Sequence, residues 1–105
     1  MSEPFPSVGG PLSSLRLDML HAVVVLSEEL HYGRAADRLH LSPSGLSRRV
    51  QQLERLLDAQ LFLRNSRGVV VTPEGQLVLP LAVAVLEAAE QLRHALPSGE
   101  HPVTA

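Results

Sequence analysis

The chain has no cysteine and no lysine. The absence of cysteine excludes disulfides, thiolate metal sites and cysteine nucleophiles, and it leaves the redox compartment open. The first residues lack the basic start and apolar run of a secretory signal. No apolar stretch is long enough to cross a membrane, since the longest runs only from Leu77 to Ala89 and is interrupted by Pro80. We therefore expect a cytoplasmic protein without a membrane partner.

Motifs for catalysis and for metal binding are also missing. The five histidines do not form a close ligand set, and no His-Glu-x-x-His sequence occurs. The serines between positions 42 and 47 do not fit the Gly-x-Ser-x-Gly pattern of a nucleophile elbow. Gly9-Gly10 lies in a proline-rich segment and lacks the strand that precedes a phosphate-binding loop. We expect neither an enzyme nor a bound metal or cofactor.

Acidic residues are in slight excess, but the two signs of charge are segregated along the chain. The 105 residues carry a formal net charge of −2. Between Gly33 and Gly68, however, seven arginines face three acidic residues, so this segment carries 7 − 3 = +4. Arginine supplies the planar fork that binds phosphates and guanine edges, and local charge decides whether DNA is attracted. The middle of the chain is therefore suited to nucleic acid.

Length and composition predict one domain with loose ends. A hydrophobic content of 45% is typical of a globular chain. Residues 1–14, rich in proline, glycine and serine, are expected to form a flexible leader. We expect residues 15–72 to fold as the domain, residues 73–96 to form a long helix, and residues 97–105 to form a flexible tail.

Apolar spacing predicts two helices at the start of the domain. The first runs from Leu17 to about Leu30, and Gly33 is expected to cap the second. The adjacent alanines Ala35 and Ala36 should allow a neighbouring helix to approach closely.

A third helix has the strongest start signal in the chain. Ser42 is a favourable N-cap, Pro43 suits the first helical position, and the helix should extend to Leu57. The predicted buried stripe consists of Leu46, Val50, Leu53 and Leu57. The residues expected on the opposite side, with Ser47 on the flank, are Ser44, Arg48, Gln51 and Arg55.

A small hairpin and a long helix complete the predicted order. Two short apolar runs, Leu61 to Arg64 and Val69 to Thr72, flank the turn residues 65–68. The long helix should then begin after the cap Thr72, with Pro73 in its first turn.

The long helix is apolar almost all round, although Pro80 should kink it or strain its first turn. It could cover the small core of its own domain. So short a fold has too little surface to bury every side of this helix, so pairing with a second copy is the better interpretation. The residues expected at this dimer contact are Leu79, Ala82, Val85, Leu86 and Ala89.

The ordered set of short motifs closely resembles the N-terminal domain of LysR-type transcriptional regulators. The resemblance covers about residues 15–96, and each fragment alone would be weak. The matching elements are Arg34-Ala35-Ala36-Asp37-Arg38-Leu39-His40, Leu46-Ser47-Arg48, Leu53-Glu54, Leu61-Phe62 with Arg64, and Thr72-Pro73-Glu74-Gly75.

This resemblance implies a mainly α winged helix-turn-helix, with three helices and a two-stranded wing, followed by a long dimerisation or linker helix. It implies a dimer on an inverted-repeat promoter site, with helix 42–57 in the major groove and wing 65–68 at the flanking groove or backbone.

The resemblance also implies roles for single residues. Base edges or nearby phosphates would be approached by Ser44, Ser47 and Arg48. Phosphates or the minor groove would be contacted by Arg34, Arg64 and Arg67. The remaining expected DNA-side residues are Ser42, Pro43 and Gln51. For Arg38 and Arg49, DNA contact and intramolecular pairing remain equally open.

The sequence departs from the family pattern in three ways. Pro43 stands where many relatives have glutamine, and Gly33 stands where many have serine or threonine. Family members also usually continue into a longer effector-binding domain, whereas this sequence ends at Ala105. We expect no effector site here, in either an excised domain or a short relative. The alternative function is a winged-helix interaction module, for example a truncated partner that blocks a full-length regulator by mixed dimerisation.

Overall fold

The computed structural model describes residues 11–97. Most of the expected leader and tail, residues 1–10 and 98–105, lies outside these described residues. Residues 11–14, also assigned to the leader, instead form a short 3-10 helix that packs against the third α-helix. The elements that follow are α1 (Leu17–Glu29), α2 (Tyr32–Leu39), α3 (Pro43–Leu57), β1 (Phe62–Asn65), β2 (Gly68–Val71) and α4 (Pro73–Arg93).

The first two helices form the corner on which α3 rests. Both Ala35 and Ala36 are fully buried, which confirms the close approach expected of this pair. The cap of α2 differs from the prediction. His31 is the N-cap residue, and its Nδ1 accepts a hydrogen bond of 3.1 Å from the backbone N–H of Arg34, whereas Gly33 lies inside the helix.

The predicted start, buried side and end of α3 are confirmed. The Ser42 hydroxyl accepts the backbone N–H of Gly45 at 3.0 Å, and Pro43 occupies the first turn. Asp58 ends the helix in the left-handed conformation, with φ of 53°. Three residues of the predicted stripe are fully or almost fully buried: Leu46, Val50 and Leu53. The fourth, Leu57, is partly buried against the same core.

The wing is a two-stranded antiparallel sheet, as the hairpin pattern predicts. Arg64 pairs with Val69 and Asn65 pairs with Gly68, so the turn lies at Ser66 and Arg67. Gly68 has φ of 132°, a backbone conformation that side chains rarely adopt. A Cβ there would lie 3.2 Å from the carbonyl oxygen of Leu30, so the wing also approaches the end of α1 closely.

Hydrogen bonds join α3, the wing and α4 at one junction. The Glu54 carboxylate accepts the backbone N–H groups of Leu61 and Phe62 at 2.7 and 3.3 Å. The Thr72 hydroxyl donates to the carbonyl of Gln60 at 2.6 Å and accepts the N–H of Gly75 at 3.0 Å. These groups are partly or fully buried, and each has a hydrogen-bond partner that offsets the cost of burial. The junction therefore fixes the direction in which α4 leaves the domain.

Helix α4 continues through Pro80 for 21 residues. By length and composition alone it could cross a membrane, so the expectation that no segment is long enough was wrong. Such a helix is weak evidence for a membrane span, because the apolar face of an interface helix has the same composition. Here one side of the helix packs on the core through Val78, Leu79, Ala82 and Leu86.

Candidate nucleic-acid interface

The exposed side of α3 carries the polar residues predicted for it. Ser44, Arg48, Gln51 and Arg55 are all exposed, and Ser47 is half-buried on the flank. Ser44 lies with its hydroxyl 3.3 Å from that of the cap residue, and the Gln51 amide donates to the Ser47 hydroxyl at 3.5 Å. This face offers hydroxyl, amide and guanidinium groups beside one another.

The nine arginines fall into two groups. Five make an ion pair with an acidic side chain within 4.0 Å: Arg16, Arg34, Arg38, Arg49 and Arg93. Within residues 11–97, the other four have no such partner: Arg48, Arg55, Arg64 and Arg67. All four lie on α3 or the wing, so the uncompensated positive charge is concentrated on these two elements.

Both arginines whose role was left open make ion pairs within the chain. Arg38 lies 2.9 Å from Glu28 and 3.2 Å from Glu29, and hydrogen bonds to these carboxylates raise its pKa. Arg49 lies 3.9 Å from Asp18. Arg34 was expected on the DNA side, yet it pairs with Glu29 at 3.4 Å. Intramolecular pairing therefore competes with DNA contact at all three of these arginines.

The two wing arginines are held differently. The Arg64 guanidinium lies over the ring of Tyr32, with Cζ 3.9 Å from the ring centroid. Burial raises the pKa of the half-buried Tyr32, while the Arg64 charge acts in the opposite direction. Arg67 is exposed in the turn, and only its backbone is fixed, by a hydrogen bond of 2.9 Å to the Asn65 side chain.

Two functional features of the α2 start were missed by sequence reasoning. The first is the aromatic contact at Tyr32, whose only signal was an aromatic residue next to a helix start. The second is the His31 cap, which accounts for the glycine at position 33. A Cβ at Gly33 would lie 3.0 Å from the His31 ring, so the absence of a side chain makes room for the imidazole.

The site has the chemistry of binding rather than of catalysis. No group of three or more potential metal ligands occurs within residues 11–97. A helix anchored by one face, with arginine and hydrogen-bonding side chains on the other, fits the major groove of DNA. With the adjacent wing, this defines a winged helix-turn-helix DNA-binding domain.

Comparisons with known proteins place this domain in a family. Residues 17–76 match the bacterial regulatory helix-turn-helix proteins of the lysR family. The uncharacterized HTH-type transcriptional regulator YkuM of Bacillus subtilis is 39% identical over 79 residues, which cover 75% of this chain and 27% of YkuM. The HTH-type transcriptional activator IlvY of Salmonella typhimurium is 44% identical over 71 residues, covering 68% of this chain and 24% of IlvY.

A solved structure agrees with these sequence matches. The BenM DNA-binding domain in complex with catB site 1 DNA aligns with a TM-score of 0.73 at 36% identity, over 77% of this chain and 91% of that chain. The chain therefore belongs to the LysR family of bacterial regulatory helix-turn-helix proteins, which are transcriptional regulators and not enzymes. It spans about a quarter of the length of YkuM and IlvY.

Proposed function

We propose that the chain binds an inverted-repeat promoter site in the bacterial cytoplasm as a dimer, with α3 in the major groove and the wing at the flanking groove or backbone. The observation that carries this proposal is the confinement of unpaired arginines to α3 and the wing. Phosphates attract such charges on any sequence, whereas base edges in the major groove distinguish sequences.

Within this interface we assign different roles to the expected residues. Arg48, one and a half turns into α3, would contact a base edge, with Ser44 and Ser47 beside it. Ser42 and Pro43 hold the start of α3 in place, because one caps the helix and the other fixes its first turn. The residues assigned to phosphates are Gln51, Arg64 and Arg67, and Arg34 would join them only by giving up its ion pair with Glu29.

Replacing Arg48 tests sequence reading. Arg48→Ala should weaken binding to the preferred site by ~1–3 kcal/mol and change binding to random DNA little, because a bidentate base contact discriminates between sequences. The preferred site is first selected from a random pool with the wild-type chain, and both duplexes are then titrated by fluorescence anisotropy.

Arg93→Ala is the matched control, since it removes an equal charge at the far end of α4, where Arg93 pairs with Glu90. It should bind both duplexes like the wild type. An equal loss of Arg48→Ala on both duplexes would make Arg48 a phosphate ligand. If the wild-type chain selected no sequence from the random pool and bound neither duplex, the alternative function as an interaction module would be favoured instead.

The dimer rests on the side of α4 that faces away from the core. Of the five expected dimer residues, Ala82 is only 3% exposed within the single chain, and Leu79, Leu86 and Ala89 are half-buried. Val85 is exposed. Apart from Val83, the exposed aliphatic residues and alanines of α4 form one stripe at helical spacing, which we call the α4 stripe: Leu77, Leu81, Ala84, Val85, Ala88 and Leu92.

The α4 stripe continues into an apolar cleft. Leu81 and Val85 line this cleft together with residues of the 3-10 helix region, α1 and α3, such as Leu15, Leu20 and Leu57. A second copy is the occupant that fits, because two-fold pairing covers the same stripe on both chains at once. Such pairing would also present two copies of α3 to two half-sites.

A charge placed in the α4 stripe should dissociate the dimer. Leu81 is 68% exposed in the single chain, so Leu81→Glu leaves the monomer fold intact but buries an unpaired charge in the pair. Sedimentation at micromolar concentration should give a dimer for the wild type and a monomer for Leu81→Glu. Gln76→Glu, the same charge on the polar side of α4, should remain a dimer. A monomeric wild type at high concentration would refute the pairing.

A further inference from the structure

We infer that Tyr32 is a positioning residue for DNA binding, which holds the Arg64 guanidinium ready for a phosphate without neutralising it. This inference rests on the proposed function, because it assigns a purpose to the contact between α2 and the wing.

The contact is built from two fixed elements. Tyr32 is the first residue of α2 and packs, partly buried, against the hydrophobic core. Arg64 lies on β1, where its backbone pairs with Val69. The close approach of Gly68 to the Leu30 carbonyl brings the same wing to the same corner independently of the Arg64 side chain. The ring is therefore a stationary platform.

An aromatic ring differs from a carboxylate as a partner for arginine, because it leaves the positive charge and the N–H donors of the guanidinium available to a phosphate. A carboxylate pairs with the N–H groups of arginine and offsets its charge, as Glu29 does for Arg34 and Glu28 does for Arg38. A ring under the guanidinium plane attracts the cation through its face, and the N–H groups at the edge of the plane remain free to donate. Arg64 has no acidic partner within residues 11–97.

The platform also reduces the side-chain conformational entropy that Arg64 loses when DNA binds. A free arginine side chain gives up rotamer freedom when it is fixed on a phosphate. On Tyr32 this freedom is already restricted in the unbound chain, so less is lost on binding. Because the effect passes through Arg64, it should vanish when Arg64 is absent.

A double-mutant cycle tests this dependence on a labelled random-sequence duplex, where phosphate contacts dominate. Tyr32→Leu should weaken binding roughly threefold to tenfold, whereas Tyr32→Phe, which keeps the ring, should stay within about twofold of the wild type. Arg64→Ala should weaken binding and lower the salt slope by about one unit. In the Arg64→Ala background, Tyr32→Leu should have no further effect.

The outcomes separate this inference from the proposed function. An equal loss for Tyr32→Leu in both backgrounds would make Tyr32 a structural residue only, and no loss would make the contact irrelevant to binding. Either result overturns the inference while DNA binding by the wild type stands. A wild type that binds neither this duplex nor a selected one would overturn the proposed function, and the inference with it.

A second measurement needs no variant at position 32. The ring should shift the Nε proton of Arg64 upfield in NMR spectra of the wild-type chain, with the resonance assigned by its absence in Arg64→Ala. Persistence of this shift in the DNA complex supports the inference, because the guanidinium then binds from its platform. Loss of the shift on DNA binding overturns it.

Discussion

Leu53→Ala is expected to destabilise the domain by ~2–5 kcal/mol, which is a large part of the stability of a small domain. Leu53 is fully buried and lies at the centre of the stripe by which α3 packs on the core. Truncation removes its apolar contacts and leaves a cavity. Because hydrogen bonds at the junction hold the end of α3 in place, we expect the surrounding side chains to fill this cavity poorly. The measurement is urea unfolding followed by circular dichroism at one protein concentration, because the proposed dimerisation would make stability concentration-dependent.

Leu63→Ala is the matched control for this truncation. Leu63 lies on β1 and is 47% exposed, so the same change there should cost far less free energy. Equal unfolding midpoints for Leu53→Ala and the wild type would show that the helical register of α3 is wrong.

Gly75→Ala is expected to destabilise the domain by ~1–3 kcal/mol, although glycine-to-alanine changes in exposed helices stabilise by about 1 kcal/mol. Gly75 is buried in the first turn of α4. A Cβ would meet the carbonyl oxygen of Leu61 and would lie 2.7 Å from Cγ1 of Val71, and a backbone carbonyl cannot move aside cheaply. The wing and α4 would have to separate, which would weaken the Thr72 cap as well.

The comparison for Gly75→Ala is Gln76→Ala, one residue further along α4. Gln76 is exposed, so its truncation should change the free energy of unfolding by less than about 0.5 kcal/mol. A Gly75→Ala chain that unfolds at higher urea concentration than the wild type would mean that α4 does not pack closely on the loop before β1.

The sequence was most informative where one local interaction decides the structure. The caps at Ser42 and Thr72, each followed by proline, determine where α3 and α4 begin, and both were predicted correctly. The spacing of Leu46, Val50 and Leu53 likewise determines which side of α3 is buried. Each of these signals lies within a single helix, so the periodicity or the capping residue is sufficient.

Features that depend on distant parts of the chain were less accessible. The sequence does not show that Arg34 pairs with Glu29, because the fold brings α1 and α2 together. Nor does it show that Arg64 lies over Tyr32, because that contact joins the wing to α2. The apolar composition of α4 predicted a surface that pairs with a second copy, but the spacing alone did not show that Ala82 is covered by its own domain. The imidazole cap at His31 was missed because histidine is a rare substitute for a hydroxyl or carboxylate there.

The junction of Glu54, Thr72 and Gly75 has a consequence for the length of an operator. Since hydrogen bonds there join α3, the wing and α4, the separation of two recognition helices in the proposed dimer would depend mainly on how the two long helices cross. One base pair inserted between half-sites would turn one half-site by about 34° around the DNA axis. Bending at the junction to follow that rotation would break these hydrogen bonds. In the proposed dimer the tolerance for spacer length would therefore reside in the contact between the two long helices, where it could be altered without changing any residue proposed to contact DNA.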